Sequence, residues 1–254
     1  MGYRIGMDLG STAIKVVLVE NREIKWCRKV PTAPGQEMRA MELVNEGLVK
    51  LGVTEADIEK VSATGYGKKL MSNASHTVDE ISANALGLFT LSDGSCRTII
   101  NIGGQDLKVI NLADNGQIAD FKMNDKCAAG TGRFFEQVAR ILDTPLEQFG
   151  EMSRKASDAL ELNSTCVVFA ESEIVSLLAK GVPKESIIKG LHYSVARRIA
   201  HLLGRHVLNG DIYLDGGPSQ NFGLLDALED ELLMEVKVLE NPQFTVSFGA
   251  AISA

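Results

Sequence analysis

The sequence predicts an α/β protein built from two related lobes. Three observations carry that prediction: a strand–turn–strand pattern that opens the chain and returns in its middle, glycine-rich turns at three strand ends, and a long helical stretch between the second turn and the third. With 254 residues, 45% of them hydrophobic, the chain can bury one large core or two modest ones without disulfides or a structural metal.

The elements follow in order. "RIGMDL" and "AIKVVLVE" flank Gly10-Ser11-Thr12, "EIKWCRKV" comes next, and "GQEMRAMELVNEGLVKLG" repeats apolar residues at helical spacing, so the opening is a β-meander feeding a helix. Beyond "KVSATGYG" lies a helix over "TVDEISANALGLFTL". The pattern then restarts with "RTIINIG", the turn Gly104-Gln105-Asp106, "LKVINLA", a turn at Asn115-Gly116 and "QIADFKM". Helical periodicity runs through "GRFFEQVARILD", "PLEQFGEMSRK", "FAESEIVSLLAKG" and "PKESIIKGLHYSVARRIAHLLGRHVL". The chain closes with a strand "DIYLDGG", a helix "FGLLDALEDELL", a short strand "EVKVLE" and a helical "FTVSFGAAISA". The lobes are expected over 1–95, with 240–254 packing back on it, and over 96–239.

Charge and composition exclude several classes. The net charge is −7 and no basic block is long enough to track a phosphate backbone, which argues against a nucleic-acid or anionic-membrane partner. No apolar run reaches the length of a bilayer span, and the N-terminus enters a strand without a charged leader, so a cytoplasmic location is expected. Cys27, Cys96, Cys127 and Cys166 show no CxxC spacing, which makes a disulfide framework or a zinc site a poor fit. Cys27 and Cys96 lie in or beside strands and read as structural. His192, His201 and His206 share one helix without i,i+4 spacing and read as packing or surface groups.

The turns carry the chemistry. They are "MDLGSTAIK", "IGGQDLK" and "LDGGPSQN". Glycine at a strand end lets main-chain N–H groups approach an oxyanion, and successive N–H groups form an anion-binding nest. Asp8 and Asp106 could hold Mg²⁺ directly or through water, while Ser11, Thr12 and Lys15 could donate to phosphate oxygens. No GxxxxGK[ST] sequence is present and no GxGxxG follows the first strand, so the P-loop and Rossmann readings are poor fits. A phosphate turn with Asp8, a second at Gly103-Gly104 and a late adenosine turn at Gly216-Gly217 together resemble the actin-like ATPase fold of sugar kinases, actin and heat-shock chaperones. That resemblance implies ribonuclease H-like duplicated lobes with mixed sheets flanked by helices.

Residue 105 then bears on mechanism. A sugar kinase needs a carboxylate to accept a hydroxyl proton, whereas an amide can only orient water, so Gln105 favours slow or gated ATP hydrolysis. Alternatively Gln105 caps the turn and Asp106 is the functional residue.

Cys127 in "KCAAGTGRFFE" and Cys166 in "STCVVFAESEI" each precede a helix, where unpaired N–H groups stabilise a thiolate. Two chains about a twofold axis would supply four thiolates to one [4Fe–4S] cluster; packed core cysteines are the plainer alternative. "TGYGK", "IGGQDLKVI", "NDKCAAGTGRF", "STCVVFAESE" and "GGPSQN", in this order over most of the chain, resemble the activators of 2-hydroxyacyl-CoA dehydratases and the related reductases of double-cubane cluster proteins. That resemblance implies a homodimeric ATPase with a subunit-bridging [4Fe–4S] cluster on Cys127 and Cys166. It further implies an electron taken from ferredoxin or flavodoxin and passed, at the expense of ATP, to an iron–sulfur partner enzyme. The catalytic set is Gln105, Asp8 and Asp106. The nucleotide set is Gly10, Ser11, Thr12, Lys15, Gly103, Gly104, Gly130, Gly132, Gly216, Gly217, Gln220 and Asn221, with ATP or ADP and Mg²⁺ as ligands. Lys126 and Arg133 could steady an anionic cluster or dock an acidic carrier. The chain departs from the family pattern at Asn84, where relatives commonly carry histidine, and at Pro218-Ser219, which leaves the partner open. A small-molecule kinase of the same fold, or a nucleotide-dependent filament module, would carry no iron.

Overall fold

The computed structural model describes residues 2–124, 130–162, 167–204 and 210–253. Its first sheet grows from the opening meander. β1 (Tyr3–Leu9) pairs antiparallel with β2 (Ala13–Glu20), which pairs antiparallel with β3 (Glu23–Pro31). α1 (Gln36–Leu51) follows and buries Ala40, Leu43, Val44 and Leu48, the i, i+3, i+4, i+8 stripe that the sequence showed. This stripe joins Met7, Leu9, Ile14, Val16 and Leu18 in one apolar cluster. β4 (Ile58–Thr64) returns parallel to β1 and is followed by the two-residue β5 (His76–Thr77) and by α2 (Glu80–Leu91). The Asp79 carboxylate caps α2 by accepting from Ser82 N at 2.8 Å.

The second sheet is made by β6 (Cys96–Ile102), β7 (Leu107–Leu112), β8 (Ile118–Asn124), β9 (Asp211–Gly216) and β10 (Val236–Lys237). Between β8 and β9 lie α3 (Gly132–Ile141), α4 (Phe149–Lys155), α5 (Val167–Ala179) and α6 (Lys184–Leu203); α7 (Phe222–Leu232) separates β9 from β10. A cluster of Phe134, Phe135, Phe149, Ile187, Leu191, Val195 and Leu224 packs with Ile100, Ile102, Leu107 and Ile212 of the strands. The closing α8 (Thr245–Ile252) sets Phe248 and Ala251 against Val17 and Val19 of β2.

The sheet orders are β3-β2-β1-β4-β5 and β8-β7-β6-β9-β10. Each strand of the first therefore has a counterpart five strands later at the same place in the order, the structural form of the sequence repeat. Two compact units result, one of Met1–Arg97, Ile110–Ala119 and Leu239–Ala254, the other of Thr98–Val109 and Asp120–Val238.

Several elements differ in extent from the sequence reading. "PLEQFGEMSRK" splits into a short turn at Leu146–Gln148 and α4. The strand in "EVKVLE" is only Val236–Lys237, because β9 offers it just Ile212 and Tyr213 as partners. α6 stops at Leu203 against Gly204, whose φ of 70° ends the helix. Cys96 is fully buried, and Cys27 packs partly buried against the Val17–Phe248 cluster, which pushes its thiol pKa upward. No described helix is long and apolar enough to cross a membrane.

Candidate functional site

The first turn is built by its hairpin. Asp8 and Lys15 are directly opposed across β1 and β2, and their side chains meet at 2.7 Å between Lys15 Nζ and Asp8 Oδ2. Main-chain bonds fix the turn itself: Gly10 N donates to Ala13 O at 3.1 Å, and Thr32 on the chain leaving β3 donates its hydroxyl to Gly10 O at 2.8 Å. Ser11 and Thr12 stand half-buried at the tip.

The carboxylate of Asp8 is only half satisfied. Its Oδ2 has the lysine, whereas the buried Oδ1 has no hydrogen-bond partner, and neither has the buried hydroxyl of Thr64. Thr64 is paired with Asp8 across the parallel β1–β4 ladder. Gly65 follows with φ of 83°, and a Cβ there would stand 2.5 Å from Asp8 Oδ1 and 2.7 Å from Leu9 O. Glycine is thus required by both the backbone and the space beside the carboxylate. Buried acceptors without partners are costly, so this spot suits a hydrated cation. Sequence reading singled out Asp8 and quoted the "TGYGK" motif, but gave no role to Thr64 or Gly65; the signal was the left-handed glycine directly after a strand end.

The second turn has the same origin and a different finish. One offset along the chain separates Asp8 from Asn101, Gly10 from Gly103 and Lys15 from Lys108. Asn101 takes the place of the first lobe's aspartate, and its amide donates to Asp215 at 2.9 Å. Asp106 is tied instead to Lys108 at 2.6 Å, with both side chains buried. Gly103 N donates to Asp106 O at 2.9 Å, and a Cβ at Gly103 would lie 2.5 Å from Asp106 Oδ1. Gln105 is exposed at the tip.

α3 begins on this turn. Gly132 N donates to Gly103 O at 2.8 Å and Arg133 N to Gly104 O at 3.0 Å, so the first two N–H groups of the helix are satisfied by the turn's carbonyls. Gly216, with φ of 95°, presses the third turn onto the end of β6, where a Cβ would strike Ile102 O. A Cβ at Gly132 would in turn meet Gly103 O at 3.3 Å and Pro218 Cγ at 3.8 Å. Gly103, Gly104, Gly132 and Gly216 are therefore brought together within the second unit. Gly130, with φ of 89°, lies apart, against Arg198 Cδ. Gly217 and Gln220 are exposed, and Asn221 caps α7 by accepting from Gly223 N and Leu224 N.

Cys127 and Cys166, which the sequence reading expects as cluster ligands, lie outside the described residues together with Lys126 and His206. Described helices nevertheless begin soon after both cysteines, α3 at Gly132 and α5 at Val167. Arg133 pairs with Glu136 at 3.7 Å, and His201 is exposed. Among the described residues no group of three or more histidine, cysteine or carboxylate side chains could hold a metal.

Known proteins match both the sequence and the fold. The activator of lactoyl-CoA dehydratase from Anaerotignum propionicum is 43% identical over 255 residues, covering 99% of this chain and 97% of its own. The activator of the 2-hydroxyisocaproyl-CoA dehydratase from Clostridium difficile, solved with bound ADPNP, is 38% identical with a TM-score of 0.91, covering 98% of this chain and 92% of its own. Component A of the Acidaminococcus fermentans (R)-2-hydroxyglutaryl-CoA dehydratase is 38% identical with a TM-score of 0.93, covering 99% and 96%. The fold is that of the actin-like ATPases. Residues 5–254 match the BadF/BadG/BcrA/BcrD ATPase family, and the chain belongs to it.

Proposed function

We propose that the protein is an ATP-driven electron donor. It would act as a homodimer in which two Cys127 and two Cys166 thiolates hold one bridging [4Fe–4S] cluster. Its reductant would be ferredoxin or flavodoxin, and its acceptor an iron–sulfur partner enzyme, either a 2-hydroxyacyl-CoA dehydratase or a double-cubane cluster protein. The names of the relatives, activators of dehydratases, are consistent with such a partner.

One observation carries the reading: the start of α3, five residues past Cys127, is fastened by two main-chain hydrogen bonds to the Gly103–Gly104 turn. Ser11 and Thr12 donate to phosphate oxygens, Lys15 adds positive charge, and the Gly216–Asn221 turn takes the adenosine end. Magnesium fits beside Asp8, where Oδ1 and the Thr64 hydroxyl lack partners; those two groups would hold the ion through its water shell, and it would offset phosphate charge. Gln105, exposed at the second turn, orients the attacking water without being able to take its proton, which keeps hydrolysis slow. When contacts at Gly103 and Gly104 change with the phosphate, the start of α3 moves with them.

The donor set suits a cubane by its chemistry. Two thiols per chain become four in a dimer, and each precedes a helix whose positive end offsets anionic charge. Bound there, the cluster would supply one-electron chemistry at low potential. The energy scale is adequate, since a one-electron shift of about 200 mV corresponds to roughly 5 kcal/mol at about 59 mV per tenfold change in equilibrium.

The test is substitution of either cysteine. Cys127→Ala and Cys166→Ala should each abolish iron binding and electron delivery while leaving nucleotide affinity at the wild-type value. A variant that keeps its full iron content would overturn the assignment.

A further inference from the structure

A buried polar chain in the second unit runs from α4 through α6 to the third turn. His192 of α6 is fully buried, with its Nδ1 3.0 Å from Ser153 Oγ of α4 and its Nε2 2.9 Å from Asn221 Nδ2. The protons can be placed by elimination. Asn221 Oδ1 accepts from Gly223 N at 3.1 Å and Leu224 N at 3.4 Å, so it is the amide nitrogen that faces the imidazole. An amide N–H only donates, hence Nε2 accepts, and the ring proton sits on Nδ1 and is donated to Ser153.

Asn221 belongs to two elements at once. Its side chain caps α7, and its main-chain N–H donates to Pro218 O at 3.0 Å, closing the short turn Gly217–Gln220. The packing is fitted to this contact. A Cβ at Gly223 would stand 2.8 Å from His192 Cε1 and 3.0 Å from Ser153 Cβ, so only glycine lets the first turn of α7 seat on the ring. Phe135 and Phe149 enclose the imidazole, with ring centroids at 5.9 and 6.4 Å.

We infer that His192 is a positioning residue for nucleotide binding: as a neutral acceptor it fixes Asn221, and through Asn221 the Gly217–Gln220 turn, in the conformation that receives the adenosine end of ATP. This rests on the reading of the third turn as the adenosine turn. Burial holds the imidazole pKa down at about 3, so the acceptor lone pair persists through the physiological range.

The test compares three variants by titration calorimetry with ATP and with inorganic tripolyphosphate, which has no adenosine. The amide of His192→Asn lies where Nδ1 was and loses Asn221; that of His192→Gln lies where Nε2 was and keeps it. Gly217→Leu probes the third turn itself, since a Cβ at 217 meets nothing within 4 Å and the fold should tolerate it. H192N should weaken ATP binding roughly tenfold, the equivalent of one neutral hydrogen bond, without changing tripolyphosphate affinity. H192Q should restore ATP affinity, and G217L should weaken ATP selectively. If G217L weakens ATP while H192N binds it as wild type does, or loses both ligands equally, the positioning role is overturned and the adenosine turn stands. If G217L leaves ATP affinity unchanged, the adenosine turn is refuted and the role of His192 with it. Should H192N not fold, His192→Leu takes its place: it fills the site with no acceptor for Asn221, so a selective loss of ATP supports the role and wild-type ATP affinity overturns it.

Discussion

Acid stability offers a quantitative check on the buried imidazole. His192 is neutral in the folded chain because burial lowers its pKa from 6.5 to about 3, whereas the unfolded chain exposes an ordinary histidine. Below the unfolded value the unfolded state binds a proton that the folded state refuses, so stability is complete above about pH 6.5 and falls steadily as pH drops toward 3. At about 1.4 kcal/mol per pH unit, a fall from about pH 7.5 to about pH 5 should remove on the order of 2 kcal/mol through this group alone. The assay is denaturant unfolding followed by circular dichroism at both pH values, for wild type and His192→Gln. Glutamine does not titrate, and other groups contribute equally to both proteins. Wild type should therefore lose about 2 kcal/mol more than H192Q over the interval. Equal losses would show that the imidazole is protonated, or solvated, in the folded state and would refute the hydrogen-bond assignment.

Other substitutions test the phosphate turns. Asp8→Asn removes the carboxylate beside the unpartnered Thr64 hydroxyl and should lower Mg²⁺-dependent ATP turnover roughly a hundredfold or more, because a bound metal contributes several kcal/mol; phosphate release with and without Mg²⁺ measures it. Gly65→Ala forces a left-handed alanine against Asp8 Oδ1 and Leu9 O and should cost at least about 1 kcal/mol from the backbone alone, read as a lower melting temperature. Gln105→Ala changes an exposed turn residue, so the melting temperature should stay unchanged while single-turnover ATP hydrolysis slows.

The sequence made much of this legible because the repeat survives in its chemistry. Strand, glycine turn and strand recur, and the sheets they build share one order. The places of Asp8, Lys15, Gly103 and Gly216 at strand ends and turns were legible because strand ends and glycines are local signals. β4 was harder to see. A central parallel strand normally shows an apolar run, yet "IEKVSAT" buries Ser62 and Thr64, and its identity as a strand comes from the long-range ladder to β1. His192 was ambiguous for a related reason. Helical spacing says which face it occupies but not that Ser153 and Asn221, distant in sequence, converge on it. The junction between the second turn and α3 is likewise invisible to periodicity, since it is made by main-chain atoms of residues far apart in the chain.

The most direct test of the electron-donor reading is iron and acid-labile sulfide per dimer, with the visible spectrum, on protein purified without oxygen. A bridging cubane requires about four irons and four sulfides per dimer and a brown colour that air bleaches, the stoichiometry of one cluster held by four thiolates. Folded, ATP-binding protein that stays free of iron after anaerobic reconstitution would contradict it, and would make an ordinary small-molecule kinase of the actin-like fold the better reading.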